Sequence, residues 1–215
     1  MLLTGDQVGG LLDAAVRHAG GRLLQWDLDH VDANPGQSTT ATYVARVEWP
    51  YGERDELLGV SARVDGLNDT DARAEIFADG DREVAVWLYP NDPDLPGLAR
   101  AAYPEPLSGI LSSYRVVEPA IGAADLSLEM VTYRPRRRAV VRASLADGSD
   151  FYVKVLRGRA VDGIAERHRL LLDAGVPAPP VLARTPTTCW CWGNCPAGRW
   201  PGRCSSPAPP AQPRG

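Results

Sequence analysis

Asp150-Phe-Tyr-Val-Lys-Val-Leu156 is the stretch on which the reading of this chain turns. Val153 and Val155 alternate around Lys154, so a strand here buries one face and carries the lysine on the other. A lysine set among valines is costly unless something holds its charge. Two roles fit: a lysine on the solvent face of an antiparallel sheet, or a cation carried on a rigid strand to a bound phosphate.

The flanking text builds a small unit around this strand. Upstream, Ala146-Asp-Gly-Ser149 is a turn whose Asp147-Gly148 pair is a strong hairpin signal. It follows a strand predicted over Ala139 to Leu145. Before that lie a basic turn, Arg134-Pro-Arg-Arg-Arg138, and a strand from Leu126 to Tyr133 in which Leu126, Leu128 and Met130 alternate. Downstream, a helix is predicted from about Val161 to Ala174, ended by Gly175 and Pro177. Ile164, His168, Leu171 and Leu172 form its apolar stripe.

The hairpin, the strand with Lys154 and a helix running into Arg169-Leu-Leu-Leu-Asp-Ala-Gly-Val-Pro-Ala-Pro-Pro-Val-Leu-Ala183 together resemble the N-terminal lobe of the aminoglycoside phosphotransferase and choline-kinase-like small-molecule kinases. In that family the αC-like helix commonly ends in an Ala-Gly-Val-Pro-x-Pro phrase. The resemblance runs from about Leu126 to Ala183. It implies an ATP-dependent transfer of the γ-phosphate to a hydroxyl, with ATP and Mg²⁺ as cofactors.

By resemblance, Lys154 contacts the nucleotide phosphates and an acid of the following helix pairs with it. Glu166 is the first candidate and Asp162 its rival; at 100° per residue Glu166 points away from the apolar stripe, and an exposed acid with no role fits either position. The turn holding Arg136, Arg137 and Arg138 stands where the family's phosphate-covering loop stands, without a Gly-x-Gly-x-x-Gly. Arginines there supply positive charge in place of backbone N–H groups. A solvated hairpin tip fits equally, and a nucleic-acid patch is thin at four arginines.

The family's His-Gly-Asp-x-x-x-x-Asn catalytic phrase and its later metal-binding Asp do not occur after Lys154. His30-Val-Asp-Ala-Asn34 is a decoy: it precedes the lysine, and Asn34 stands too close to Asp32. The expectation is therefore a truncated phosphotransferase, inactive as this chain, with no catalytic residue and no metal ligand of its own. The alternative is a non-catalytic nucleotide-binding or interaction module. A nucleotide is the expected partner, and a small-molecule acceptor belongs to a full-length relative.

Residues 1–119 read as an α+β unit, cap-like by analogy with maltokinase-type relatives. Val8, Leu11, Leu12, Ala15 and Val16 recur at helical spacing after the cap candidates Thr4 and Asp6. Strands are predicted over Arg22 to Val31, Thr39 to Trp49, Glu56 to Val64 and Glu83 to Tyr89, with a short helix after Pro96 and another near Ile110. The fold class expected is α+β: a cap-like unit to about Pro119, a partial kinase-like lobe over 120–185 built from an antiparallel sheet and one αC-like helix, and a disordered tail.

Composition bounds these readings. With 44% apolar and 23% charged positions the chain can bury a sizeable core. A net charge of -4 argues against a nucleic-acid or anionic-membrane partner. No run reaches the roughly 18 apolar residues that cross a bilayer, and the cytoplasm is the expected location. All four cysteines lie at or beyond Cys189, so no disulfide framework is expected before them.

From Thr185 onward Cys, Trp, Gly, Arg and Pro dominate. Cys189, Cys191, Cys195 and Cys204 invite zinc, but the paired knuckles and histidines of structural sites are missing. A displaced reading frame explains more. Thr185 to Arg203, written back in GC-rich codons and read one base earlier, gives Pro-Asp-Asp-Leu-Leu-Val-Leu-Gly-Gln-Leu-Pro-Gly-Arg-Pro-Leu. That text resembles the family's next strand, hinge and entry to the C-terminal lobe, so residues 186–215 are expected to be non-native and disordered.

Overall fold

A computed structural model of the chain describes residues 3, 5, 7–63, 74–79, 82–117, 119–185 and 189–192, with backbone alone at 79, 82, 159 and 189–192. The fold is α+β, built on two five-stranded antiparallel sheets.

Helix α1 (Val8–His18) opens the first unit. Its N-cap is Gln7, which makes no side-chain cap; the cap candidates Thr4 and Asp6 lie outside the described residues. Strands β1 (Arg22–Asn34), β2 (Ser38–Trp49), β3 (Gly52–Arg63), β4 (Glu75–Asp79) and β5 (Arg82–Leu88) pair in the order β1-β2-β3-β5-β4. Strand β4 was not foreseen, and the end predicted at Val64 falls outside the described residues. Ala41, Tyr43, Ala45 and Val47 alternate onto the buried face of β2, where Val8, Leu12, Ala15 and Val16 of α1 meet them. Each large apolar side chain buried there contributes about 1.5–3 kcal/mol. Tyr43 also donates its hydroxyl to the carbonyl of Leu3, tying the chain's start to the core.

Two short helices follow, α2 (Leu98–Ala101) and α3 (Pro104–Ser113), the latter opened by a proline at its first turn. A single 3-10 turn at Ala123–Asp125 leads into β6 (Leu126–Arg134), β7 (Arg138–Leu145), β8 (Asp150–Leu156), α4 (Gly158–Asp173), β9 (Val181–Arg184) and β10 (Cys189–Trp192). Gly148 takes φ +85 in the β7–β8 turn, as the Asp147-Gly148 signal requires. Gly175 takes φ +72 just past α4, and the N–H of Val176 reaches back to the carbonyl of Leu171 in a Schellman closure.

Leu95, Leu98, Ala101, Leu107 and Leu111 share one core with Ala139, Val141, Ala143, Phe151, Val153 and Val155, so α2 and α3 have their apolar faces on the second sheet. One expectation is corrected here. The stretch past Pro186 was read as unstructured, yet Cys189–Trp192 forms β10 and lies between β8 and β9 in the order β6-β7-β8-β10-β9. Strand pairing satisfies backbone N–H and C=O groups whatever side chains they carry, so a run without alternation can still complete a sheet. Residues 193–215 lie outside the described residues.

Candidate anion-binding face around Lys154

In β8 the odd positions Phe151, Val153 and Val155 are buried against α2 and α3, which turns Tyr152 and Lys154 to the opposite face. Lys154 stands across from Val140 of β7, and Trp190 of β10 stands opposite it on the other side. Leu156, two residues on from Lys154, packs with Val161, Ile164 and Ala165 of α4. The lysine is half-buried. Burial pushes its ammonium below the ordinary value, and the guanidinium groups of Arg138 and Arg167 push it the same way. Arg138 of β7 and Arg167 of α4 thus both act on the Lys154 charge.

Both acids proposed as partners for Lys154 are engaged elsewhere. Glu166 takes Arg169 at 2.6 Å, and that arginine holds its carboxyl below the usual range. The two stand three residues apart on the exposed side of α4, the spacing at which helical side chains meet. Asp162 takes Arg184 of β9 at 2.6 Å. The predicted stripe is also corrected: Leu171 and Leu172 are exposed, and Val161 is buried.

The three turn arginines go to three different places. Arg138 bears on Lys154. Arg137 is exposed and meets Asp32 of β1 at 2.8 Å. Arg136 is only 3% exposed. It occupies the left-handed region at φ +60 as the third residue of a turn closed by Arg137 N–H on the carbonyl of Arg134. That conformation costs a non-glycine residue about 1–2 kcal/mol. Its surroundings hold it there: the backbone N–H donates to Asp92 Oδ2 at 2.7 Å, the guanidinium lies 5.0 Å over the Trp87 ring, and Nη1 meets Asp94 at 3.3 Å.

The sequence reading singled out neither Asp92 nor Asp94. Asp94 also receives Arg63 of β3 at 3.0 Å and Arg157, the N-cap of α4, at 2.9 Å. Arg157 donates as well to the carbonyl of Arg136 at 2.5 Å. One carboxylate thus joins the first sheet, the β6–β7 turn and the start of α4, the two elements that bring Arg138 and Arg167 toward Lys154. No local signal in the sequence marks these acids, since two aspartates around a proline are ordinary turn chemistry.

The cysteine side chains, on which a zinc reading depends, lie outside the described residues. No known family matches this chain, and no curated protein sequence matches it.

Proposed function

We propose that this chain is a phosphate-binding lobe of the kind found in ATP-dependent small-molecule phosphotransferases, and that by itself it binds Mg-ATP without transferring the γ-phosphate. One observation carries the reading. Lys154 is the sole lysine among 23 basic residues, the other 22 being arginine. It stands at mid-strand, half-buried, with Arg138 and Arg167 acting on it. Arginine is accepted everywhere else in this sequence. A position that keeps lysine asks for a compact ammonium on a flexible stem, which meets phosphate as a point charge, rather than for a planar fork.

The order hairpin, lysine strand, helix and return strand supports the kinase-like reading. So does the displaced frame, whose Leu-Leu-Val-Leu falls on residues 189–192, the four that form β10. The His-Gly-Asp catalytic phrase does not occur after Lys154, and without a base and metal ligands in-line transfer loses both positioning and charge neutralisation.

Calorimetric titration with Mg-ATP on this chain, on Lys154→Ala and on Lys154→Arg is the test. The expected result is binding that weakens in both variants. A folded chain that binds no Mg-ATP would sink the proposal. A second reading, a non-catalytic interaction module, is favoured by Leu170, Leu171, Leu172, Val176 and Leu182, all more than 40% exposed around the end of α4 and in β9. Sedimentation showing self-association of the wild type that is abolished by Leu171→Ser would favour it.

A further inference from the structure

We infer that Asp94 is a latch by which the first unit fixes α4, and that Arg63 of β3 and Arg157 at the start of α4 act on one another through it. This holds whether or not the chain binds a nucleotide.

The two arginines share one atom. Arg63 Nη2 and Arg157 Nη2 both meet Asp94 Oδ2, at 3.0 and 2.9 Å, while Arg136 Nη1 meets Oδ1 at 3.3 Å. The Asp94 side chain is only 9% exposed, so its charge is screened by salt far less than one on the open surface. Guanidinium groups stay protonated; three of them stand together here, and the carboxylate between them offsets their repulsion. Moving one changes what the other two meet. The acid is fixed from its own loop, since the backbone N–H of Asp94 donates to Asp92 Oδ1 at 2.9 Å.

α4 is the element on which this tells. Among its described side chains Val161 alone is buried, in a small cluster with Leu156 against which Ile164, Ala165 and Val181 are partly buried. Leu170, Leu171 and Leu172 at the far end are exposed, and the N-terminus has no side-chain cap. Asp162 with Arg184, and His168 with the carbonyl of Pro179, tie the helix to the segment that follows it; Arg157 ties it to the first unit. Helices in proteins draw most of their stability from packing, so with so thin an apolar seat the tether at Arg157 carries a larger share. Whatever shifts the end of β3 or the loop of Asp92 and Asp94 is thereby passed to the start of α4, and the first unit is a control element for that helix.

Hydrogen exchange of the whole chain, read by mass spectrometry, is the test. Arg157→Gln cuts the tether directly and sets the scale. Arg63→Gln leaves α4 and Arg157 untouched, yet it is expected to speed exchange in the first half of α4 at least about fivefold, the lower end of the coupling between linked sites, with β2 and β7 at wild-type rates. Arg46→Gln, which breaks an exposed pair with Asp55 on the same first sheet, should leave α4 unchanged. In an Asp94→Asn background, where α4 is already loosened, Arg63→Gln should add nothing, whereas an arginine that merely stabilises β3 would keep its effect there. Unchanged α4 exchange in Arg63→Gln, a rise shared equally by β2 and β7, or an effect undiminished by Asp94→Asn overturns the proposal. Arg63→Lys, which keeps the charge but not the planar fork, decides by the same criteria should Arg63→Gln fail to fold.

Discussion

The hydroxyl of Tyr133 donates to Asp92 Oδ2 at 2.8 Å and accepts the indole N–H of Trp87 at 3.0 Å. Trp87 belongs to β5 and Tyr133 to β6, so one oxygen joins the two sheets. Tyr133→Phe removes it and leaves a buried indole N–H without its acceptor, a loss of about 1–3 kcal/mol. Guanidinium denaturation should show a lower midpoint with an unchanged slope. A midpoint equal to the wild type's would mean that water takes over both hydrogen bonds.

Asp92 gives that junction a pH dependence. Burial raises its carboxyl above the ordinary value, against the backbone N–H of Arg136, the Tyr133 hydroxyl and the backbone N–H of Asp94, which favour the carboxylate. A folded pKa above the unfolded one, about 3.9, contributes stability that is full below the unfolded value and is lost as pH rises through the folded one. Asp92→Asn cannot ionise, so the stability of the wild type relative to the variant should fall as pH rises through that window. Denaturation curves at a series of pH values check it. A relative stability that rises with pH would show that the three donors outweigh burial.

Gly59 explains how Trp87 reaches across. It stands opposite Trp87 in the β3–β5 pairing, and a Cβ added there would come within 2.2 Å of the indole ring. Gly59→Ala must therefore displace the tryptophan, with a cost of about 1–3 kcal/mol for the overpacking and a further loss as Tyr133 and Arg136 lose their contacts. Trp87→Leu should cost less in the Gly59→Ala background than in the wild type. Additive losses in a double-mutant cycle would show that the indole is not the obstacle.

What the sequence disclosed is what is local. The alternation Ala41, Tyr43, Ala45, Val47 and the valines around Lys154 mark strands because a period of two is written in neighbouring residues, and Asp147-Gly148 marks a turn by its own chemistry. Arg136 was misleading for the converse reason: an arginine run at a hairpin tip reads as solvated, whereas the acid that holds its backbone stands 44 positions earlier. Strand order is equally non-local, so nothing in Cys189–Trp192 announces a place between β8 and β9. Glu166 went to Arg169 because a helix offers a partner three residues away before it offers one across a cleft.

The last prediction concerns the lysine as a cost to the fold. A base whose folded pKa lies below its unfolded value penalises the folded state fully at low pH, and the penalty fades as pH rises through the lowered value toward the unfolded one. Lys154 is in that position, through burial first and Arg138 and Arg167 after it. Lys154→Met keeps the length of the stem and removes the charge, so it should raise the thermal midpoint at pH 7. The gain should shrink as pH climbs through the lowered pKa. Arg138→Gln, which removes one of the two like charges, should give a smaller rise with the same pH trend. Thermal scans from pH 6 to 10 decide it: a Lys154→Met chain less stable than wild type at pH 7 would mean that the ammonium is held in the folded state more firmly than in water, and the anion-seeking character argued for this face would fall with it.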